Sequence, residues 1–396
     1  MATIAFLFDH FPGHIIPSFT LANDLIRQGH KVCYLAIPDM VPLITRQGFD
    51  CQVVMQEYFP EGFVHDAEAA NGYHYAGIIE GCLDSVMDEL APDLMVCTYF
   101  VSLDSLLINQ KYGIPQVLFT THIRDVALDP AYFAQSIVMK LHAGMAARVL
   151  SFLQQGNPSA ESTSALLEPL KGFRELIAAP RDLLLPDEVF PDNVKFITTG
   201  FNQRVQGEVP ELARLKEEGK VIIFASMGSQ SAMHQDKTRY FFHRMLQMMR
   251  HEAPSHWHMV LAHSNMDIAP LGKLPDNVTA TPWIDQVQVL SYSSLAVFHG
   301  GIGTIKECLA AEVPMVICPR SIETSINVQR VESCEIGRGA DLLRLTSAEL
   351  VSLCNEVMQD KTLQQSIAVL SDRYVKEEDE MKGASLVLPM LETMSI

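Results

Sequence analysis

Residues 299–307, HGGIGTIKE, follow the apolar run SLAVF (294–298) and precede CLAAEVPMVICP (308–319). A histidine, three glycines and a threonine between a predicted strand and a predicted helix suit the holding of a phosphate or diphosphate. Gly300, Gly301 and Gly303 let the backbone approach a ligand closely. The helix that starts there offers unpaired amides and the positive end of its dipole. Thr304 adds a hydroxyl and His299 a further donor, while Glu307 shares a helix face with Gly303 and Thr304 and can accept the hydroxyls of a ribose. A tight turn packing a helix onto a strand uses the same residue types without any ligand, and the run alone does not choose between the two.

A second chemistry calls for a base. His14, in GHIIP (13–17), comes after the apolar run TIAFLF (3–8) and just ahead of Pro17, a favoured first residue of a helix. Near the positive end of a helix the imidazolium is disfavoured, and a neutral ring can accept a proton. His10 and His122 are equally open choices on the residues alone, and the chain has 14 histidines. His251, His256, His258 and His263 are numerous enough to suggest a metal. HWHMVLAH reads as a strand, however, whose alternate residues face opposite sides, and no metal is expected.

The elements that must position these groups alternate along the chain. Runs at 3–8, 31–37, 92–97 and 115–121, then at 220–226, 256–263, 294–299 and 314–319, read as strands separated by helices. Such alternation predicts parallel sheets with crossover helices in two doubly wound units. Residues 125–190 break the pattern and read as helical, either a pocket-shaping insertion or an ordinary surface one. The linker is expected between 198–204 and 217–220, where Gly, Pro and charge replace apolar residues.

Composition agrees with a globular enzyme. A chain of 396 residues is expected to hold two domains, and its 48% hydrophobic content excludes a disordered or fibrous class. Its 29 Lys and Arg against 47 Asp and Glu give a net charge of −18, so nucleic acid and anionic membrane surfaces are poor partners. Eight cysteines without a CxxC pair predict a reducing, cytoplasmic setting. The apolar start lacks a basic leader and no window holds 18 uninterrupted apolar residues, so neither a signal peptide nor a membrane span is expected.

Residues 281–331, TPWIDQVQVLSYSSLAVFHGGIGTIKECLAAEVPMVICPRSIETSINVQRV, resemble the donor signature of family 1-type, UDP-glycosyltransferase-like enzymes with the GT-B fold. The signature runs P-W-x-x-Q, H-G-G-x-G-T-x-x-E, G-V-P, P-x-x-x-D-Q-x-x-N, R-V. This branch includes bacterial macrolide, antibiotic and carotenoid glycosyltransferases. The resemblance implies an α/β fold of two Rossmann-like domains facing a cleft: an acceptor domain (1–205), a donor domain (206–375) and a C-terminal helix (376–396) that crosses back to the first. It implies Trp283 stacking on a uracil or thymine base and Gln286 near base and ribose. His299, Gly301, Gly303 and Thr304 would bind the diphosphate and Glu307 the ribose, with Ser229, in SMGS (226–229), near the phosphates. GHIIP is similar to the family's G-H-x-x-P loop, which implies His14 as catalytic base.

Two departures stand out. The family's partner aspartate for the histidine falls here at Thr98 or Tyr99, and Asp104 is the nearest carboxylate, a displaced substitute or an ordinary helix residue. The Asp-Gln pair that grips sugar hydroxyls is here Glu323 and Thr324, which points to a deoxysugar donor or to glucose with a water filling the gap. The expected function is inverting, metal-independent and cofactor-free transfer from a UDP- or dTDP-sugar to a hydroxyl of a small lipophilic or aromatic acceptor, bound near residues 60–140. Any self-assembly is expected to be a homodimer. The competing readings are an inactive or auxiliary nucleotide-binding protein of the same fold and a nucleotide-sugar epimerase.

Overall fold

The computed structural model describes residues 1–59, 67–98, 102–123, 143–201, 209–228, 231, 235–264, 266–380 and 382–392. The strands of the first unit are β1 (Thr3–Leu7), β2 (Lys31–Ala36), β3 (Asp50–Val53), β4 (Leu94–Thr98), β5 (Gln116–Thr120), β6 (Arg174–Ile177) and β7 (Val194–Phe196). Those of the second are β8 (Val221–Ser226), β9 (Trp257–Ala262), β10 (Val278–Thr281), β11 (Leu295–Phe298), β12 (Met315–Ile317) and β13 (Gly337–Gly339). Among the described residues they form two sheets, ordered β3-β2-β1-β4-β5-β6-β7 and β10-β9-β8-β11-β12-β13. The central pairs β1–β2, β1–β4, β8–β9 and β8–β11 are all parallel.

In each sheet the first strand lies inside and later strands are added on both sides, so the winding direction reverses between β1 and β4 and between β8 and β11. Open α/β sheets bind ligands at the carboxyl ends of strands beside such a reversal. The loops after β1 and β11, which carry His14 and His299, therefore sit at the two switch points.

The central strands are buried on both faces, as crossover helices require. Along β1, Ile4 and Phe6 join one core with Tyr34, Val96 and Phe119, whereas Ala5 and Leu7 join the opposite core with Cys33, Leu35, Met95 and Cys97. In the second unit Ile223, Ala225, Met259, Leu261, Leu295 and Val297 share one core. The helix Lys382–Glu392 packs on the first unit: Ala384 and Val387 enter its core, and Arg174 Nη1 donates to the Leu386 carbonyl at 2.7 Å.

Contacts divide the chain into residues 1–178, 189–197 and the described part of 381–396, against 179–188 and 198–380. By contacts the chain passes between the units at 197/198 and 380/381. The helix Lys361–Asp379 ends just before the second of these points. Residues 125–190 are also not wholly helical: the helix Ala143–Gly156 is followed by β6, which pairs with β5.

Glu312 stands where the family signature has the glycine of G-V-P, and its φ is +55°. A side chain in this left-handed region strains the backbone. Glu312→Gly is expected to raise stability by about 1 kcal/mol, read as a higher midpoint in chemical denaturation.

Candidate active site

His14 lies in a single helical turn, Pro12–Ile15, followed by the helix Ser18–Arg27 with Pro17 as its N-cap. The turn was expected to be a loop. Asp9 Oδ2 lies 2.6 Å from His14 Nδ1, with the two residues 3% and 8% exposed. Asp9 Oδ1 also accepts from the Phe11 amide at 3.0 Å, which fixes the carboxylate on its own loop. Burial raises the Asp9 pKa, but the His14 charge and hydrogen bond, the Phe11 amide and His10 together hold it below the usual value. A carboxylate so placed orients the ring.

Asp104 does not serve as that partner. It is fully buried on the helix Ser102–Tyr112, with Oδ2 3.1 Å from His74 Nδ1. Burial pushes its pKa up against the pull of His74. Thr98 is buried at the end of β4, and Tyr99 lies outside the described residues. The register explains how a carboxylate from β1 can stand in for one from β4. Leu7 pairs with Cys97, so the loop carrying Asp9 leaves the sheet directly beside the end of β4.

On the second unit, β11 delivers His299 to the N-terminus of the helix Ile302–Ala310, whose N-cap, Gly301, supplies no side-chain cap. The first amides of that helix have no intrahelical partner. Gly300 has φ +95°, and a Cβ there would lie 2.6 Å from Ile317 Cγ2. His299 is 9% exposed, and its ring is flanked by two glycines. A Cβ on Gly228 would come within 2.5 Å of its Cε1, and one on Gly301 within 2.8 Å of its Nε2.

Gln286 opens the short helix Gln286–Leu290, capped by Asp285, and reaches across to the Ile302–Ala310 helix. Its Nε2 donates to Thr304 Oγ1 at 2.9 Å and to the Glu307 carboxylate, so three predicted site residues meet. Burial pushes the Glu307 pKa up to about 7, against the pull of Lys306 and the Gln286 hydrogen bond. An ionised carboxylate accepts ribose hydroxyls better than a protonated one. Nucleotide affinity is therefore expected to rise with pH through about 7, relative to Glu307→Gln at each pH, in a calorimetric series. Trp283 is 60% exposed, an indole face open for stacking instead of a core aromatic. Gly303 meets nothing within 4 Å of an added Cβ.

Ser229 lies outside the described residues. Thr324 is 3% exposed and turns inward: its Oγ1 accepts from the amides of Arg320 at 3.0 Å and Ser321 at 2.9 Å, completing a capping box on the helix Ile322–Ser333. Its hydroxyl caps a helix, whereas Glu323 beside it is exposed. Among the described residues no group of three or more His, Cys, Asp or Glu could hold a metal, and no helix is long and apolar enough to cross a membrane.

Comparison with known proteins agrees with this geometry. Solved structures superpose over the whole chain: the glycotransferase of kitacinnamycin with a TM-score of 0.76 at 23% identity, covering 98% of both chains, and VinC in complex with dTDP with a TM-score of 0.68 at 17%, covering 99% of this chain and 100% of its own. The fold is that of the GT-B glycosyltransferases, and in sequence the chain is similar to family 1-type members of that class. Within it, residues 251–379 match the Erythromycin biosynthesis protein CIII-like, C-terminal domain. The demethyllactenocin mycarosyltransferase of Streptomyces fradiae is 24% identical over 410 residues, 97% of this chain and 83% of its own. The NDP-glycosyltransferase YjiC of Bacillus subtilis is 21% identical over 380 residues, 94% of this chain and 92% of its own.

Proposed function

We propose that this protein moves a sugar from a UDP- or dTDP-sugar to a hydroxyl of a small lipophilic or aromatic natural product, with inversion at the anomeric carbon. The observation that carries this reading is the His14–Asp9 pair at 2.6 Å. With Nδ1 committed to Asp9, the acceptor proton passes to His14 Nε2. The acceptor oxygen then forms its bond to C1 while the bond from C1 to the diphosphate breaks, and the electron pair leaves on the β-phosphate oxygen. The amides at the start of the Ile302–Ala310 helix and His299 stabilise that developing charge, which removes the need for a metal. Trp283 stacks on the base, Gln286 and Glu307 take the ribose, and Ser229 belongs with the phosphate set.

The relatives' names support a nucleoside diphosphate sugar as donor and natural products as acceptors, and VinC was solved with dTDP. The auxiliary reading leaned on a missing carboxylate, and Asp9 weakens that ground. With Thr324 turned inward, Glu323 is the sugar contact left from the expected pair, and a donor lacking one hydroxyl suits it. Incubation with UDP-glucose or a dTDP-deoxysugar and a panel of phenols and macrolactones tests the reading by mass and NMR. A β-glycoside from an α-donor is expected. An α-glycoside contradicts inversion, and a donor altered without any acceptor indicates an epimerase.

A further inference from the structure

Asn327 is fully buried, and its Nδ2 donates to the Gly300 carbonyl at 2.8 Å. An amide can be turned either way, and what selects this orientation is Arg330 one turn later, whose Nη1 donates to Asn327 Oδ1 at 2.6 Å. The guanidinium demands an acceptor, so the amide must present its oxygen to Arg330 and its nitrogen to Gly300. Arg330 has a side chain 1% exposed and is held in turn by Glu188, which takes Nε at 3.3 Å and Nη2 in a two-pronged pair. Glu188 Oε2 also accepts from the Leu185 amide at 2.8 Å. Residues 179–188 belong by contacts to the second unit, although the chain on either side belongs to the first.

The geometry points to Glu188 as a positioning residue of the donor loop: through Arg330 and Asn327 it fixes the Gly300 carbonyl, and so presents His299 and the following amides to a nucleoside diphosphate. This rests on the donor-site reading above. Gly300 has φ +95°, a region glycine enters freely, so a contact such as the Asn327 hydrogen bond decides where its carbonyl points. Charge and direction agree along the chain, since a carboxylate orients a guanidinium, which orients an amide, which holds a carbonyl.

Titration of the full chain with UDP and dTDP by calorimetry, and with uridine and thymidine by ligand-observed NMR, tests it. A wild-type protein that binds neither diphosphate overturns the donor-site reading and this inference together. Where the wild type binds, Glu188→Gln is expected to weaken the diphosphates at least about tenfold and to leave the nucleosides, which stack on Trp283 without a phosphate, unchanged. Unchanged diphosphate affinity, or parallel loss of nucleoside and diphosphate, contradicts the positioning role. Asn327→Ala removes the Gly300 hydrogen bond while keeping the Glu188–Arg330 ion pair. It is expected to give the same diphosphate-specific loss, and it decides the matter if Glu188→Gln does not fold.

Discussion

His14→Ala is expected to lower turnover by about 100- to 10,000-fold while leaving nucleotide affinity unchanged, the signature of a lost general base. Asp9→Asn is expected to fall in the same range for a different reason. The carboxylate at 2.6 Å holds the ring so that Nδ1 carries the proton and Nε2 can accept one. An asparagine that turns its NH₂ group toward Nδ1 selects the opposite tautomer, in which Nε2 already carries a proton and cannot take another. The double variant should be little worse than either single one, because the two residues act as a unit. Asp104→Asn is the control. Asp104 faces His74, so its effect on turnover should be small beside that of Asp9→Asn, in steady-state rates with a fixed acceptor.

Gly301→Ala should weaken binding of UDP and dTDP by about 100-fold with little change in thermal midpoint. Gly301 has φ −68°, which any residue adopts, so alanine does not strain the backbone. Its Cβ would nevertheless sit 2.8 Å from His299 Nε2 and force the ring from its place. Gly228→Ala provides the contrast: φ is +76° and the Cβ would come within 2.5 Å of His299 Cε1, so both stability and affinity should fall. Calorimetric titration beside a thermal melt separates the two variants. Equal affinity in Gly301→Ala and wild type would mean that His299 does not touch the diphosphate.

Much of the fold was legible because parallel strands buried on both faces read as continuous apolar runs, as in β1, β8, β9 and β11. The strands that escaped, β3, β6, β7, β10 and β13, are three to four residues long and include charged or glycine-rich pieces such as RELI and GRG, too short for any periodicity. At the donor site, the spacing of Gln286, Thr304 and Glu307 pointed to residues that do meet. The capping role of Thr324 was not legible from its type, which suggested a shortened sugar contact, although a threonine at the third position of a helix is also a natural cap. Asp9 was missed because a partner was sought at the end of β4. The signal was present in FDHFPGH, a carboxylate five residues before the histidine on one short loop, but only strand order shows that this loop emerges beside β4. Glu188 carries no local signal, since its partner Arg330 is 142 residues away in the chain.

The most direct measurement is calorimetric titration of the purified protein with UDP, dTDP and their glucose and deoxysugar conjugates, repeated with His299→Ala. Micromolar binding that collapses in the variant is the expected result, and the preferred base and sugar would then select the acceptors to screen. No binding to any of these ligands, or equal binding by His299→Ala, would contradict the donor site and with it the proposed transfer.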